Sequence, residues 1–228
     1  MQLLKDFFKL FYPNLCTTCN KELLKKENII CSFCSHDLPI INHTDYKKNR
    51  VAQTFLGRIP IEKATSFLYF RKTGKTRELI HHLKYKGNEE IGTFLGNWFG
   101  QNLKDSKQFT DIDYIIPVPL HQKRLQERGY NQLTKFGESL SLILEKPYLT
   151  GVLKRVSSAN TQTYKARFER FSNTQTTFTL TNFEKLKNKH VLLIDDVITT
   201  GATLENCSNE LLRTENIKIS IVTMAFTE

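Results

Sequence analysis

VLLIDDVITTGAT, residues 191–203, places two adjacent acids after four apolar residues and before a turn of small and hydroxylated residues. Four consecutive apolar residues are typical of a strand in a parallel sheet that is buried on both faces. We predict that the strand ends at Asp195 and Asp196 and that a helix follows the turn. Ligands of open α/β sheets bind outside the carboxyl ends of the strands. We therefore expect both acids to lie at the mouth of a binding site.

The turn after the acids has the composition of a phosphate-binding loop. Its residues are Thr199, Thr200, Gly201, Ala202 and Thr203. They offer backbone amides at a helix N-terminus, hydroxyls that donate, and a glycine for close approach. An ionised carboxylate only accepts hydrogen bonds, so Asp195 and Asp196 suit the 2- and 3-hydroxyls of a sugar. The stretch predicts a sugar-phosphate site; the alternative is an ordinary turn with two solvated acids, which repel each other without a ligand or Mg²⁺.

The rest of the chain alternates between strand-like and helix-like segments. Further strands are predicted at 64–70, 114–118, 148–153 and 218–225. Helices are predicted around Leu79, Ile80 and Leu83, around Ile91, Leu95 and Trp98, and over 131–144 and 203–214. Alternation of this kind predicts an α/β fold in which helices flank a parallel sheet.

Basic residues outnumber acidic residues by 33 to 23, which gives a formal net charge of +10 over 228 residues. The segment 121–172 holds ten of the basic and four of the acidic residues, so it alone contributes +6. This surplus favours phosphate-rich partners and says nothing about the fold. No apolar run reaches the roughly 18–20 residues that cross a bilayer, and the N-terminus does not resemble a secretory signal. We expect a cytoplasmic protein with no transmembrane segment.

Two C-x2-C pairs lie near the N-terminus, with eleven residues between them. Each pair presents two thiolates from one tight turn, and two pairs complete the tetrahedron that structural Zn²⁺ prefers. The predicted ligands are Cys16, Cys19, Cys31 and Cys34. Disulfides are the alternative, which a cytosolic setting disfavours. Four thiolates leave no coordination position for water, so the predicted zinc is structural; Cys207 stands apart and is predicted in the core.

Two blocks carry a resemblance to known families. Residues 191–203 resemble the phosphoribosyl-diphosphate motif of the type I phosphoribosyltransferases, because the strand, the paired acids and the Thr-Thr-Gly-x-Thr turn are in register. PVPLHQKRLQERGYNQ, residues 117–132, is similar to the competence protein F (ComF) family, whose members resemble phosphoribosyltransferases with an N-terminal zinc ribbon. The cysteine pairs, GRIPI at 57–61 and LKYKG at 83–87 extend the likeness over nearly the whole chain.

The resemblance implies a domain organisation. Residues 1–50 would form an N-terminal helix and a four-cysteine zinc ribbon, and residues 55–228 a type I phosphoribosyltransferase-like domain. The polar stretch 42–53 suits a linker between them. Some relatives carry further cysteine pairs after the second knuckle, and this chain does not, so we expect one zinc.

The resemblance also implies roles for single residues. Asp195 and Asp196 would be the catalytic pair, facing the ribose of phosphoribosyl diphosphate with Mg²⁺, and residues 199–203 would hold its 5-phosphate. Candidates for the pyrophosphate lie on the arginine-rich turn predicted after the strand at 114–118, and they are His121, Lys123, Arg124 and Arg128. A mobile loop that closes over the sugar would contribute Gln162, Lys165, Arg167, Arg170 and Asn173. The alternative is that these cations belong to a solvated loop.

Two functions follow from these features. Because the ComF family is associated with DNA uptake in natural transformation, the resemblance implies a role there, with single-stranded DNA and a competence helicase as partners. Basic residues interleaved with aromatic ones, as in the 83–87 segment, suit single-stranded DNA. The alternative is an active phosphoribosyltransferase of nucleotide metabolism. The sequence identifies neither an acceptor pocket nor a general base for that reaction.

Overall fold

The computed structural model of the protein describes residues 13–156, 177–181 and 183–227. The apolar N-terminal segment and the predicted mobile loop lie outside these residues, and Arg167 lies outside them with that loop. Within the described residues the chain forms a central sheet, flanking helices and a four-cysteine cluster.

The strands build one four-stranded sheet and one two-stranded sheet. In chain order they are β1 Lys63–Phe70, β2 Tyr114–Pro117, β3 Leu153–Val156, β4 Thr177–Leu180, β5 His190–Ile198 and β6 Lys218–Thr227. The larger sheet has the order β1-β6-β5-β2, and every neighbouring pair in it is parallel. Its two central strands are buried on both faces, which explains the uninterrupted apolar run at 191–194. The predicted parallel α/β fold is confirmed.

Helices flank this sheet. In chain order they are α1 Ser32–His36, α2 Arg50–Gln53, α3 Lys75–Tyr85, α4 Glu90–Ser106, α5 Gln122–Arg128, α6 Thr134–Leu144 and α7 Ala202–Leu211, with a 3₁₀ helix at Phe183–Leu186. Glycines spaced one turn apart let α4 lie against α6: a Cβ on Gly96 would stand 2.7 Å from the Ser139 Cβ. This close approach brings Phe99 and Phe136 together, with ring centroids 6.5 Å apart.

Two segments differ from their predicted structure. Tyr148 makes a single parallel bridge to Ile115, and β3 begins at Leu153 and pairs antiparallel with β4, so the strand predicted at 148–153 is wrong. Gly151 separates the two pieces, because its left-handed backbone (φ 76°) interrupts an extended chain. The basic segment predicted as a turn is helix α5, which ends at the left-handed Gly129 (φ 78°).

The cysteine-bearing segment is joined to the edge strand β1. The backbone N–H of Ile41 donates to the Phe67 carbonyl at 2.8 Å, and the N–H of Tyr69 donates to the Pro39 carbonyl at 2.9 Å. Within the polar stretch 42–53, the Asn49 side chain donates to the Ala64 carbonyl at 2.7 Å. The chain after the cysteines therefore packs along the edge that β1 would otherwise expose.

Candidate functional site

The paired acids lie inside β5, and not at its end as predicted. The strand continues to Ile198, with Val197 opposite Ala225 and Ile198 opposite Phe226 of β6. Because successive side chains of a strand point to opposite faces of the sheet, Asp195 and Asp196 occupy different faces. The acids are adjacent in sequence but do not share one environment.

Asp196 is enclosed by cationic and amide donors. Its side chain is buried, and Lys84 Nζ, at the end of α3, lies 2.8 Å from its Oδ1. Gln132 Nε2, just before α6, donates to its Oδ2 at 2.7 Å. Both carboxylate oxygens therefore have protein partners. That Asp196 faces a ribose stays a prediction.

Asp195 is only half-buried, on the face that carries Arg155 and Cys207. Its Oδ1 accepts from the backbone N–H of Asp196 at 2.8 Å. Burial raises the pKa of Asp195 well above its ordinary value, and the neighbouring charge of Asp196 raises it further. The positive charges of Lys84 and Arg155 offset only part of this effect. A cation or a hydrogen-bond donor at Asp195 would stabilise its charged form.

The predicted phosphate loop forms an exposed turn between β5 and α7. Thr199, Thr200, Ala202 and Thr203 are exposed. The N-cap residue Gly201 provides no side-chain cap, and the Ala202 N–H donates to Thr200 Oγ1 at 3.4 Å. Gly201 is buried in the left-handed conformation (φ 76°), and a Cβ there would stand 3.0 Å from Phe55 and from Thr54. The helix N-terminus thus faces solvent, where its amides can reach an anion, on a backbone that requires glycine.

Arg58 holds this turn in place, a role that the sequence analysis missed. Its Nη1 donates to the Thr200 carbonyl at 2.7 Å and to the Thr54 carbonyl at 3.1 Å, and the guanidinium also pairs with Glu205 of α7. Arg58 belongs to the GRIPI segment at 57–61, but nothing in that segment indicates a contact with the turn.

The predicted pyrophosphate residues divide into two groups. Arg124 and Arg128 line a cleft of about 290 Å³ together with Lys84, Tyr85, Gly87, Glu127 and Tyr130. The Arg128 guanidinium lies over the Tyr85 ring, 5.1 Å from its centroid. His121 does not line the cleft; its Nδ1 accepts from the Lys123 backbone N–H at 3.1 Å and caps α5. The Lys123 side chain is exposed outside the cleft.

The four predicted cysteine ligands come together in one cluster. Their sulfur atoms all lie within 4.8 Å of one another, and the Cys19 and Cys31 sulfurs are 3.8 Å apart. That separation is too long for a disulfide, and all five cysteines are free. A tetrahedron with Zn–S bonds of about 2.3 Å places its sulfurs about 3.8 Å apart, so the cluster fits a metal such as zinc.

Hydrogen bonds and burial act on the thiols in opposite directions. Burial and the neighbouring thiols raise the pKa of Cys34. For Cys16 burial also acts to raise the pKa, but hydrogen bonds from Thr18 and from the Cys31 backbone N–H outweigh it and lower the pKa. Because metal binding requires thiolates, a divalent cation would offset the repulsion among four of them. Cys207 is buried in the core, as predicted.

The chain is similar to several known proteins. The family model described as "Phosphoribosyl transferase domain" matches residues 135–227. Competence protein F of Haemophilus influenzae is 29% identical over 214 residues, which cover 89% of this chain and 92% of that protein. The chain is a homologue of competence protein F. DNA utilization protein YhgH of Escherichia coli O157:H7 is 30% identical over 138 residues, which are 59% of this chain and 60% of that protein.

Among solved structures, adenine phosphoribosyltransferase from Saccharomyces cerevisiae is 18% identical, with 61% of this chain and 71% of that chain covered and a TM-score of 0.41. The matched phosphoribosyl transferase domain contains the acids and the exposed turn. The cleft residues and the cysteine cluster lie before it. Among the described residues, none of the helices has the length and apolar character needed to span a bilayer.

Proposed function

We propose that this competence protein F homologue binds phosphoribosyl diphosphate, or a similar sugar phosphate, together with Mg²⁺ at the carboxyl edge of β5, and that it acts in DNA uptake. The observation that carries the proposal is the exposed turn at 199–203, which follows the acids within the matched phosphoribosyl transferase domain. An exposed helix N-terminus whose N-cap residue provides no side-chain cap is a favourable position for a phosphate.

The turn and Asp195 would share the ligand. The 5-phosphate would take the amides at the start of α7 and the hydroxyls of Thr199, Thr200 and Thr203. The sugar hydroxyls would donate to Asp195, whose pKa is raised in their absence. Mg²⁺ binds carboxylate and phosphate oxygens together, and at this edge it would offset the negative charge that burial disfavours.

The similarity to competence protein F over most of the chain supports a role in DNA uptake. We infer that the chain works in the cytoplasm, where its cysteines stay reduced, and that it contacts single-stranded DNA and a competence helicase. Tyr85 is exposed, and the Arg128 guanidinium lies over its ring. Lys84 and Arg124 line the same cleft, so an aromatic face lies beside charges that can bind phosphates. Aromatic stacking plus a basic groove suits single strands without regard to sequence.

An active phosphoribosyltransferase is the second candidate, which the matched domain favours. An acceptor nucleophile would form a bond to the anomeric carbon while the bond to pyrophosphate breaks, and cations would stabilise the leaving group. Release of pyrophosphate in the presence of purine bases, amines or single-stranded DNA would support this candidate. No release with any of them, in protein that binds the sugar phosphate, would leave binding as the function.

Calorimetry with phosphoribosyl diphosphate tests the sugar-phosphate site. We expect Mg²⁺-dependent binding by the wild type and none by the double variant Asp195→Ala with Asp196→Ala. Asp105→Ala, which removes an exposed acid on α4, is the matched control and should bind as the wild type does. Undiminished binding by the double variant would refute the proposal.

Labelled oligonucleotides test the DNA interaction. The affinity should fall steeply as salt rises, because phosphate contacts release counterions. Arg128→Ala should weaken binding, and Arg213→Ala, which removes an exposed arginine just after α7, should not. No binding even at low salt would rule out the single-stranded DNA partner.

A further inference from the structure

A second strand-to-helix junction lies at the carboxyl end of the edge strand β1. The chain leaves β1 after Phe70 and enters α3 at Lys75, through a short connection that runs into Gly-Lys-Thr at 74–76. Because every neighbouring pair in the sheet is parallel, this junction lies on the same sheet edge as the turn at 199–203, with β6 between the two strands. A nucleotide-binding P-loop has a glycine five residues before its Gly-Lys-Thr, and position 69 is Tyr. The junction therefore lacks the loop that surrounds a nucleoside triphosphate.

A cavity of about 340 Å³ lies at this junction. Its lining residues are Asp37, Pro39, Tyr69, Arg71, Thr73, Gly74, Lys75 and Thr76. Gly74 is the N-cap residue of α3 and provides no side-chain cap for the first turn of that helix. The segment 71–77 contains four basic residues and no acidic residue. The cavity thus combines the amides of a helix N-terminus with positive charge, which favours an anion.

A buried hydroxyl in the wall of the cavity points independently to a ligand. Thr76 lines the cavity and is only 3% exposed. Its Oγ1 is buried and makes no hydrogen bond within the part of the chain that the structure describes. Burying a hydroxyl without a partner is costly, and most buried polar groups are paired. The Thr76 hydroxyl and the first amides of α3 are all donors, so one acceptor with several oxygens would satisfy them together.

Lys75 brings a charge to the cavity through a contact that is easily exchanged. Its Nζ donates to the Asp37 carboxylate and lies 5.2 Å from the centroid of the Phe33 ring. The Asp37 side chain is 68% exposed, and an ion pair in such a position contributes little to stability. An anion in the cavity would therefore compete with Asp37 for Lys75. Because Asp37 and Phe33 follow the cysteine pairs in the chain, the cavity lies between the cysteine-bearing segment and α3.

We propose that this cavity is a second anion site, which binds a phosphate group through the first amides of α3, the Thr76 hydroxyl and the Lys75 ammonium. The site is separate from the sugar-phosphate site proposed above and does not depend on it. A phosphate monoester suits these donors, since it carries more charge than a backbone diester and offers three terminal oxygens. Its source is either a free phosphate ion or the phosphorylated end of a nucleic acid strand.

Tungstate, a heavy-atom analogue of phosphate, locates the site in crystals through its anomalous scattering. We expect a peak beside Thr76 and the first turn of α3 in the wild type and none there in Thr76→Val. Thr214→Val is the matched control, because Thr214 is also buried with an unpaired Oγ1 and lines a different cavity. Thr214→Val should keep the peak. A wild type without tungstate at α3 would overturn the proposal.

Calorimetry with inorganic phosphate tests the site in solution. Thr76→Val should raise the Kd of this site about fivefold or more, the size of a lost hydrogen bond, and Thr214→Val should leave it unchanged. Any phosphate held at 199–203 is common to these variants, so their difference reports on the cavity. Neither variant should lower the thermal melt measured without phosphate, because each removes an unpaired hydroxyl from a buried position. Equal phosphate affinity in the two variants would refute the proposal.

Asp37→Asn provides a test that a loss of folding cannot imitate. The change removes the carboxylate that competes for Lys75, so it should lower the Kd for phosphate several-fold. Asp105→Asn, which removes an exposed acid on α4, should leave the Kd unchanged. Weaker or unchanged phosphate binding in Asp37→Asn would contradict the assignment of Lys75 to the anion.

Dinucleotides distinguish the two sources of the phosphate. Binding that requires a 5′-phosphate, is lost in Thr76→Val and is tighter than that of inorganic phosphate would identify the end of a nucleic acid strand. Equal affinity for the phosphorylated dinucleotide and for inorganic phosphate would identify the free ion. Equal affinity for dinucleotides with and without the 5′-phosphate would show that the terminal group is not recognised, and would overturn the proposal.

Discussion

The cysteine cluster and the carboxylate edge of β5 gather their functional side chains in different ways. The four sulfurs lie within 4.8 Å of one another, buried or nearly so, and face a common centre. The two acids are consecutive in the chain, yet the alternation of the strand sends them to opposite faces. Spacing along the chain therefore describes the first site well and the second one poorly.

The two sites depend on different parts of the chain. Two tight knuckles fix the sulfurs locally, so the pattern of cysteines is enough to predict them. At the sheet edge, the partners of Asp196 come from 112 and 64 residues away. The cluster is closed on itself, whereas the sheet edge keeps an exposed turn for a ligand. Perturbing each region should therefore give distinct results.

The largest effect is expected from breaking the closed cluster. Cys34→Ser removes one ligand from a fully buried position and should abolish stoichiometric zinc, with unfolding of the cysteine segment, since metal binding is folding energy in such sites. Cys207→Ser makes the same chemical change in the core, and should keep one zinc per chain. Zinc content and thermal melting measure both. A stable Cys34→Ser protein with full zinc would contradict the metal site.

A smaller effect is expected from the backbone of the exposed turn. Gly201→Ala meets Phe55 and Thr54 at 3.0 Å in a left-handed position, and should cost about 2–4 kcal/mol from strain and overpacking together. Gly151→Ala has the same φ of 76° with nothing within 4 Å, and should cost only about 1–2 kcal/mol. Urea unfolding compares them. Equal costs would mean that close approach at Gly201 does not matter.

The amino end of β5 differs from the carboxyl edge, because its polar groups are bonded to one another and not exposed to ligands. His190 is buried between Asp111, 3.1 Å from Nδ1, and Ser220, 2.9 Å from Nε2. Burial lowers the pKa of His190 below 6.5, although Asp111 acts to raise it. The folded state therefore binds fewer protons than the unfolded state as pH falls through 6.5, so stability should fall in that interval.

The loss is limited to about 1.4 kcal/mol per pH unit for one group. Urea unfolding between about pH 7.5 and about pH 5 measures it, and His190→Asn should flatten the profile relative to the wild type. A wild type that gains stability on acidification through this interval would show that the Asp111 contact outweighs burial.

The smallest effect is expected at Arg58, which supports the turn from a half-exposed position. Arg58→Ala should cost about 0.5–1.5 kcal/mol of stability, because only exposed or partly exposed contacts are lost. It should weaken sugar-phosphate binding several-fold by loosening residues 199–203. Arg77→Ala, which removes an exposed arginine paired within α3, is the matched control. Equal ligand affinity in both variants would show that Arg58 does not position the turn.

Most of the fold could be predicted from the sequence, because apolar runs and their spacing are local signals. The run at 191–194 indicated the central strand, and the alternation around it indicated the parallel sheet. Strand length could not be predicted, since only pairing with β6 shows that β5 continues past the acids to Ile198. The basic segment was expected to be a turn, although its residues are good helix formers.

The site was predictable only in part, for the same reason. The exposed turn and its glycine were visible in the sequence, whereas Lys84, Gln132 and Arg58 act through contacts made by folding. No local pattern indicates that Gln132 bridges Asp196 and Arg128. Charge along the chain pointed to Lys123 as readily as to Arg124, and only the position of α5 separates them.

The central proposal is that the carboxyl edge of β5 binds a sugar phosphate. A crystal structure with phosphoribosyl diphosphate and Mg²⁺ tests it most directly. We expect the 5-phosphate to occupy the turn at 199–203 and the ribose hydroxyls to contact the acids that precede it. A complex in which the ligand lies elsewhere and leaves this turn empty would contradict the account.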